Sequence, residues 1–363
     1  MFTIYSDKDI FENIISSPDD YPNWNKIINN HSIVFLDINQ DDLDDEIANP
    51  DTLLFLFLQS NARNIDIIPV DNYFQTIYGN LETVIENPTA AYFLNLTDVV
   101  TEKLQQDTGI IINNAIKIDD ELLLKGIYNH WVSDETIVNN WKTILNSFQN
   151  FPSNSIIIND RNLFTNNERI GTQNLNLGTD NILRILDALL PQNINIDYHV
   201  IIQTDHQINR PGIENKNKCD EISDFLNTEI RNLRPYNFII EMVYIHSSTQ
   251  YYPHTHNRKI ISNYKTGSIS HCFSAFKIRT PDKTKNDDNF TLNAFFDKIN
   301  NPASRESNLR EHSIGIQRFK ETTENCISKI NLVGPNDYAY RYYLNGIEVT
   351  QGQTTAINNR LLN

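Results

Sequence analysis

The chain has 363 residues, of which 39% are hydrophobic, and its formal net charge is −16 at pH 7. That hydrophobic content excludes a disordered chain, and the longest apolar run, Leu53–Leu58, is far short of the roughly 20 residues that span a bilayer. Three cysteines without a Cys-x-x-Cys pair exclude a disulfide scaffold and a zinc ribbon. The opening residues lack a basic region followed by an apolar run, so we expect a cytoplasmic protein that does not associate with membranes.

The negative charge is concentrated in the first part of the chain. Residues 1–150 contain 7 Lys/Arg and 24 Asp/Glu, a net charge of −17, whereas residues 151–363 contain 23 and 22, a net charge of +1. The chain length favours two domains over one. We therefore predict an acidic domain over residues 1–150 and a second domain over residues 151–363, divided where Phe151-Pro152 interrupts the pattern.

The first region alternates between strand-like and helix-like segments. It opens with mixed polar, helix-like sequence, and Ser32–Asp37 then predicts a strand that ends in a carboxylate. Further short apolar runs are strand-like, namely Leu53–Leu58, Ile65–Val70, Ala91–Leu96 and Gly109–Ile112. Helical spacing follows around Leu104, and apolar residues three and four apart predict mostly helix over residues 119–150. This alternation predicts an α/β fold.

The second region repeats the alternation. Ser155–Asp160, Tyr198–Gln203 and Phe238–Ile245 are predicted strands, and the last of them has the continuous apolar character of a buried strand. Asp180–Leu189 and Ile222–Leu233 are predicted helices. The β-α-β-α-β order predicts a sheet with covering helices, so we expect two mixed α/β domains.

One stretch after the third of these strands concentrates groups suited to phosphate chemistry. It contains His256-x-Arg258, then Asn263, then Gly267-Ser268-x-Ser270, and residues 258–285 hold seven Lys/Arg against one Asp. This order resembles a degenerate phospholipase D motif. That family's pattern is His-x-Lys, an Asp and Gly-Ser-x-Asn. Here Arg stands for Lys, Asn stands for Asp, and three rather than six residues precede the Gly.

The resemblance implies a phospholipase D-like second domain and a set of site residues. His256 corresponds to the nucleophile that attacks a phosphodiester phosphorus, and Arg258, Ser268 and Ser270 correspond to phosphate contacts. The predicted catalytic residues are His256, Arg258 and Asn263, and the predicted phosphate-binding residues are Lys259, Ser268, Ser270, Asp160 and Arg161. Asp160-Arg161 would be the remnant of a first half of the site. An active site of this kind would make the chain a phosphodiesterase or nuclease, and the sequence leaves open whether it is an enzyme.

Other interpretations of the same stretch stay open. The alternation of His254, His256 and Arg258 is also typical of one polar face of a strand. The local cations and the aromatic residues Tyr251, Tyr252, Tyr264 and Phe273 favour nucleic-acid binding. A metal site would combine His254 and His256 with His271 or Cys272 and with Asp160 or Asp205.

The acidic turn that follows Asp37 also has two interpretations, a Mg²⁺ site of a nuclease or a solvated acidic turn. We favour the solvated turn, and we predict neither a metal nor a cofactor for the chain.

The function that we expect is a phosphate- or nucleic-acid-recognising component of a bacterial defence-type system. The alternative is a non-enzymatic adaptor or scaffold that binds a protein partner, or a second copy of itself, and whose acidic first domain docks a basic surface. Both hypotheses predict interaction partners other than a membrane.

Overall fold

The chain forms two compact units, Met1–Leu124 and Lys125–Asn363. A computed structural model describes residues 1–60, 66–131, 140–205, 213–246, 258–280, 284, 287–296, 305–332, 340–350, 352–353 and 356–363. Both units are built around a sheet with helices, so the predicted α/β class is confirmed.

The first unit contains a five-stranded, fully parallel sheet in the order β3-β2-β1-β4-β5. Its strands are β1 (Phe2–Asp7), β2 (Ser32–Asp37), β3 (Asp66–Pro69), β4 (Ala91–Phe93) and β5 (Ile111–Asn113). Its helices are α1 (Lys8–Ser16), α2 (Pro22–His31), α3 (Gln40–Ala48), α4 (Leu53–Ser60), α5 (Asp71–Gly79) and α6 (Asp98–Thr108), and 3₁₀ turns cover Leu81–Glu86 and Leu122–Leu124. The chain moves outward from β1 to β3 and then crosses to β4, so the strand order reverses between β1 and β4.

The elements of the first unit agree with the sequence prediction except in three places, one of which is the acidic turn predicted after Asp37, since that segment forms helix α3. The predicted strand Ser32–Asp37 is confirmed as β2. The opening was predicted to be helix-like, but Phe2–Asp7 is the central strand, and five of its six residues are buried. Leu53–Leu58 was predicted to be strand-like, but it lies in helix α4. Leu54 and Phe57 are its buried residues, and their spacing of three is that of a helix face.

The second unit contains a nine-stranded mixed sheet in the order β16-β15-β11-β10-β7-β12-β13-β14-β6, and β8 and β9 form a separate hairpin. Its strands are β6 (Gly126–Trp131), β7 (Ser155–Asn159), β8 (Asn167–Ile170), β9 (Gln173–Asn176), β10 (Tyr198–Asp205), β11 (Phe238–Ile245), β12 (Lys259–Ser262), β13 (Lys265–Ile269), β14 (Asp288–Ala294), β15 (Tyr340–Leu344) and β16 (Ile347–Glu348). Its helices are α7 (Trp141–Leu145), α8 (Leu177–Leu189), α9 (Ile213–Arg231) and α10 (Arg305–Leu332), with a 3₁₀ turn at Asn146–Phe148.

The three strands predicted for the second region are confirmed as β7, β10 and β11, and they form the parallel centre of the sheet. The two predicted helices are confirmed as α8 and α9. Every residue of β7 and β10 is buried, because helices cover both faces of a parallel sheet centre. On one face, Phe319 of α10 packs in a cluster with buried side chains of β7, β10, β11 and β12.

The division between the units lies at Leu124–Lys125, before the predicted boundary at residues 150–151. β6 pairs with β14 of the second sheet, and Trp141 donates through Nε1 to Asn181 Oδ1 at 2.7 Å. Residues 126–131 are therefore a strand rather than the predicted helix. The charge contrast survives the shift, because Met1–Leu124 holds 5 Lys/Arg and 22 Asp/Glu and the second unit holds 25 and 24.

In the part of the chain that the structure describes, no helix has the length and apolar character needed to cross a membrane.

Candidate functional site

Asp160 is the most buried and most hydrogen-bonded residue of the Asp160–Arg258 part of the site predicted in the second unit. It follows β7 directly and is fully buried. Its Oδ1 accepts from the Asn162 amide at 2.9 Å, and its Oδ2 accepts from the Phe273 amide at 2.7 Å. The Cys272 thiol is a further donor. Burial raises the pKa of Asp160, and the thiol and amide donors oppose that rise.

Arg258 is brought to this carboxylate by the pairing of β12 with β7. Lys259 is opposite Asn159 in that antiparallel pair, so the residues just outside it, Arg258 and Asp160, also meet. Arg258 Nε lies 3.7 Å from Asp160 Oδ1, and Nη1 donates to the Ser270 carbonyl at 2.8 Å. The Arg258 side chain is 21% exposed, so part of it reaches the protein surface, and the bond to the Ser270 carbonyl orients the guanidinium.

Lys259 and Ser268 lie apart from Arg258. They are partners in the β12–β13 pair, and Lys259 Nζ forms an ion pair with Glu311 of α10. Neighbouring residues of a strand point to opposite faces, which separates Lys259 from the Arg258–Asp160 pair. The structure therefore brings three of the predicted residues together, Asp160, Arg258 and the backbone of Ser270, and places Lys259 and Ser268 on the other face.

Asn263 occupies the opposite end of β12, in the turn before β13. It is fully buried, and its Oδ1 accepts from the amides of Asn154 at 2.9 Å and Ser155 at 3.1 Å. Its Nδ2 donates to Asn154 Oδ1 at 2.9 Å. These bonds hold the start of β7, so Asn263 does not face Arg258. His256, the predicted nucleophile, lies outside the described residues.

Asp205 is a residue near this site to which the sequence analysis gave only a secondary role. It ends β10, beside Asp160 and Arg161 at the carboxyl end of β7, because β7 and β10 run parallel in register. It is 2% exposed, and neither carboxylate oxygen has a hydrogen-bond partner among the described residues. Burial raises the pKa of Asp205 to about 7, and the positive charge of Arg161 opposes that rise. A carboxylate two residues after the predicted strand Tyr198–Gln203 was the signal available in the sequence.

Part of the predicted nucleic-acid surface is core. Tyr264 and Phe273 are fully buried, so they cannot stack on bases. Lys265 is 2% exposed and lies over the rings of Phe148 and Phe151, 5.2 and 4.7 Å from their centroids. Burial lowers the pKa of Lys265 to about 7, so this lysine is not a surface phosphate contact. Tyr251 and Tyr252 lie outside the described residues.

The metal alternatives have little geometric support within the described ranges. No group of three or more His, Cys, Asp or Glu side chains there is arranged to hold a metal ion. Cys272 bonds to Asp160 and lies 3.0 Å from Ser274 Oγ, and His271 Nδ1 lies 3.7 Å from Asp288 Oδ1. His254 lies outside the described residues.

The first unit contains a second polar site that the sequence analysis did not assemble. Asp7 ends β1, Asp37 ends β2, and the two are partners in register. Asp71 follows β3 as the first residue of α5. Because parallel strands end at the same edge of a sheet, these carboxyl groups meet there. Asp37 was found as the end of a predicted strand, but the strand before Asp7 was missed, so the cluster was not recognised.

A cleft of about 490 Å³ opens beside this cluster, within the usual size of a small-molecule pocket. It is lined by Lys8, Asp37, Ile38, Asn39, Asp42, Asp45, Glu46, Asn49, Thr52 and Asp71. Lys8 is paired with Glu12 at 2.8 Å and with Glu46 at 2.9 Å. Five carboxyl groups and one ammonium group line the cleft, a net charge of −4 when all are ionised. The acidic segment after Asp37, predicted as a solvated turn, is helix α3 and forms one wall of the cleft.

Comparison with known proteins adds no family to this description. Neither a protein-family model nor a curated protein matches the chain.

Proposed function

We propose that the second unit binds a phosphate group of a nucleic acid or another phosphodiester through Arg258, in a degenerate phospholipase D-like site. The orientation of the guanidinium, fixed by Asp160 and by the Ser270 carbonyl, is the observation that supports this most directly. A guanidinium has five N–H donors, and Nη1 bonds to the Ser270 carbonyl, whereas Nε is buried 3.7 Å from Asp160 Oδ1 and makes no hydrogen bond among the described residues. A fork held in this way can bind two phosphate oxygens side by side.

The proposed site binds phosphate without hydrolysing it. In the phospholipase D family an Asp supports a catalytic His, and the corresponding residue of this chain is Asn263. Both polar atoms of the Asn263 side chain bond to the segment before β7, at the other end of β12 from Arg258. A neutral amide cannot supply the negative charge that stabilises an imidazolium.

A short fluorescein-labelled single-stranded oligonucleotide tests the binding. We expect Arg258→Ala to weaken binding by about tenfold or more, because a hydrogen bond to a charged group contributes roughly 1.5 to 3 kcal/mol. Arg169→Ala, which removes an exposed arginine of β8, is the matched control and should bind like the wild type. Circular dichroism of both variants establishes that they fold. Equal affinity of Arg258→Ala and the wild type would contradict the proposal.

Turnover is tested separately with bis(p-nitrophenyl) phosphate as the substrate. We expect no hydrolysis by the wild type and no change in His256→Ala. Hydrolysis that disappears in His256→Ala would overturn the binding-only form of the proposal and make the second unit a phosphodiesterase.

A second candidate function, an adaptor for a basic partner, is supported by the cleft of the first unit. Its lining has a net charge of −4, and it lies in a unit with 22 acidic and 5 basic residues. A dense field of one sign raises the association rate of an oppositely charged partner and loses that effect as salt is added.

An oligolysine peptide is a suitable probe of the adaptor function. The double variant Asp42→Asn/Asp45→Asn changes the cleft, whereas Asp19→Asn/Asp20→Asn removes the same charge from exposed residues that do not line it. We expect the first variant to lose more affinity than the second at low salt. Equal losses would show that only the overall charge of the chain attracts the peptide.

A further inference from the structure

Asp7 and Asp37 lie in an arrangement that favours a shared proton. They are register partners at the ends of adjacent parallel strands, so both side chains lie on the same face at the same edge of the sheet. Two ionised carboxylates side by side repel each other, and neither can donate a hydrogen bond to the other. A proton on one of the two removes that repulsion and supplies a donor between them.

The surroundings assign the hydrogen to Asp37. Asp7 is 9% exposed, and its Oδ2 accepts from the Tyr78 hydroxyl and from the Asn95 amide. Two external donors stabilise a negative charge on Asp7. Asp37 is half-buried, lines the cleft and accepts no comparable pair of donors in the described structure, so it is the better proton carrier.

We propose that Asp7 and Asp37 share one proton, held on Asp37, and that this proton is a switch for the charge of the cleft in the first unit. With the proton in place the lining has a net charge of −3, and after its loss the net charge is −4. Loss of the proton also replaces a hydrogen bond between the strand ends by repulsion between two carboxylates. The switch thus changes both the cleft and the β1–β2 edge.

The charged groups around the pair favour retention of the proton. Burial raises the pKa of Asp37 to about 6, and the negative charges of Asp7 and Asp71 add to that rise. Burial also raises the pKa of Asp7, and Asp9 contributes in the same direction.

Among the residues that the structure describes, the remaining titratable groups that face the cleft come from α1 and α3. Asp42, Asp45 and Glu46 of α3 are acidic. Lys8 of α1 is the cation of the lining, and its ion pairs with Glu12 and Glu46 divert it from the Asp7–Asp37 pair. Tyr78 of α5 donates a hydrogen bond to Asp7. Burial and this hydrogen bond raise the pKa of Tyr78 far above the range in which Asp7 and Asp37 titrate. None of these groups therefore supplies a positive charge that would release the proton.

Carboxyl ¹³C NMR of the full chain, titrated from pH 4 to 8, tests the proposal. We expect the Asp37 carbon to shift with a midpoint near pH 6, well above the ordinary aspartate value of about 3.9, and the Asp7 carbon to respond at the same midpoint. Asp37→Asn should abolish the step at Asp7, and Asp42→Asn, which alters an exposed group of the same cleft, should preserve it.

An Asp37 midpoint near 4, or a step at Asp7 that persists in Asp37→Asn, would overturn the proposal. If Asp37→Asn does not fold, the same titration of Asp71→Asn tests the proposal. It removes a negative charge that acts on Asp37 without altering the pair, so the shared midpoint must fall. An unchanged midpoint in Asp71→Asn, or different midpoints at Asp7 and Asp37, would again contradict proton sharing.

Discussion

The two units of this chain bury carboxyl groups at the carboxyl ends of parallel strands in different ways. In the second unit, Asp160 is surrounded by amide and thiol donors and by the guanidinium of Arg258. In the first unit, Asp7 has two donors, and its neighbour is a second carboxyl group, Asp37. A buried charge must be paired or hydrogen-bonded, and otherwise it is neutralised by a proton. The carboxylate of the second unit is therefore paired with the cation Arg258, whereas in our proposal the carboxyl pair of the first unit retains a proton on Asp37.

The largest effect that we predict tests whether the boundary between the two units lies at Leu124–Lys125. Trp141 is fully buried against Phe273, Phe276 and Phe290, although it precedes the boundary predicted from the sequence. Trp141→Ala should lower the free energy of unfolding of the second unit by about 3 to 5 kcal/mol, measured by urea denaturation. Tyr128→Ala, on the neighbouring strand β6 but 63% exposed, is the control and should change it by less than about 1 kcal/mol. A small effect of Trp141→Ala would place residues 125–150 outside the second core.

The next largest effect is expected when the hydrogen-bonded carboxylate of the second unit, Asp160, is removed. Asp160→Ala removes the acceptor of two amides and the anionic partner of Arg258, so we expect a loss of about 3 kcal/mol in the free energy of unfolding. Asp224→Ala, an exposed residue of α9, should be nearly neutral. A loss for Asp160→Ala as small as that of its control would mean that the buried carboxylate does not organise the loop around Phe273.

The smallest effect that we predict is a pH dependence of the free energy of unfolding of the first unit. Because the pKa of Asp37 is raised to about 6 in the folded state, its contribution to stability is complete below the unfolded value near 4 and is lost as the pH rises through about 6. The stability of the wild type relative to Asp37→Asn should therefore fall between about pH 4 and 6 in urea denaturation and level off above pH 6. Asp42→Asn should follow the wild type. If the difference in free energy of unfolding between the wild type and Asp37→Asn does not vary with pH, Asp37 does not hold the proposed proton.

Much of the fold could be predicted because its strands are dense apolar runs. Ser32–Asp37 and Phe238–Ile245 are strands with the predicted bounds, since buried parallel strands carry β-branched and aromatic side chains. Leu53–Leu58 was predicted incorrectly because a short apolar run fits a strand and a helix equally well, and tertiary packing selects the helix.

The sites were harder to predict because they depend on register. The meeting of Arg258 with Asp160 requires the pairing of β12 with β7, and nothing within the local motif specifies that pairing. Asn263 lies in the same motif, yet the turn before β13 places it at the other end of the strand. Asp7 and Asp37 are 30 residues apart and meet because β1 and β2 are neighbours in a parallel sheet.

The salt dependence of oligonucleotide binding tests the central claim, phosphate recognition by Arg258, most directly. The logarithm of the binding constant falls linearly with the logarithm of the salt concentration, and each lost phosphate contact reduces that slope by about 1. We predict that Arg258→Ala has a shallower slope than the wild type by about this amount and that Arg169→Ala keeps the wild-type slope. Identical slopes for Arg258→Ala and the wild type would contradict phosphate binding by this guanidinium.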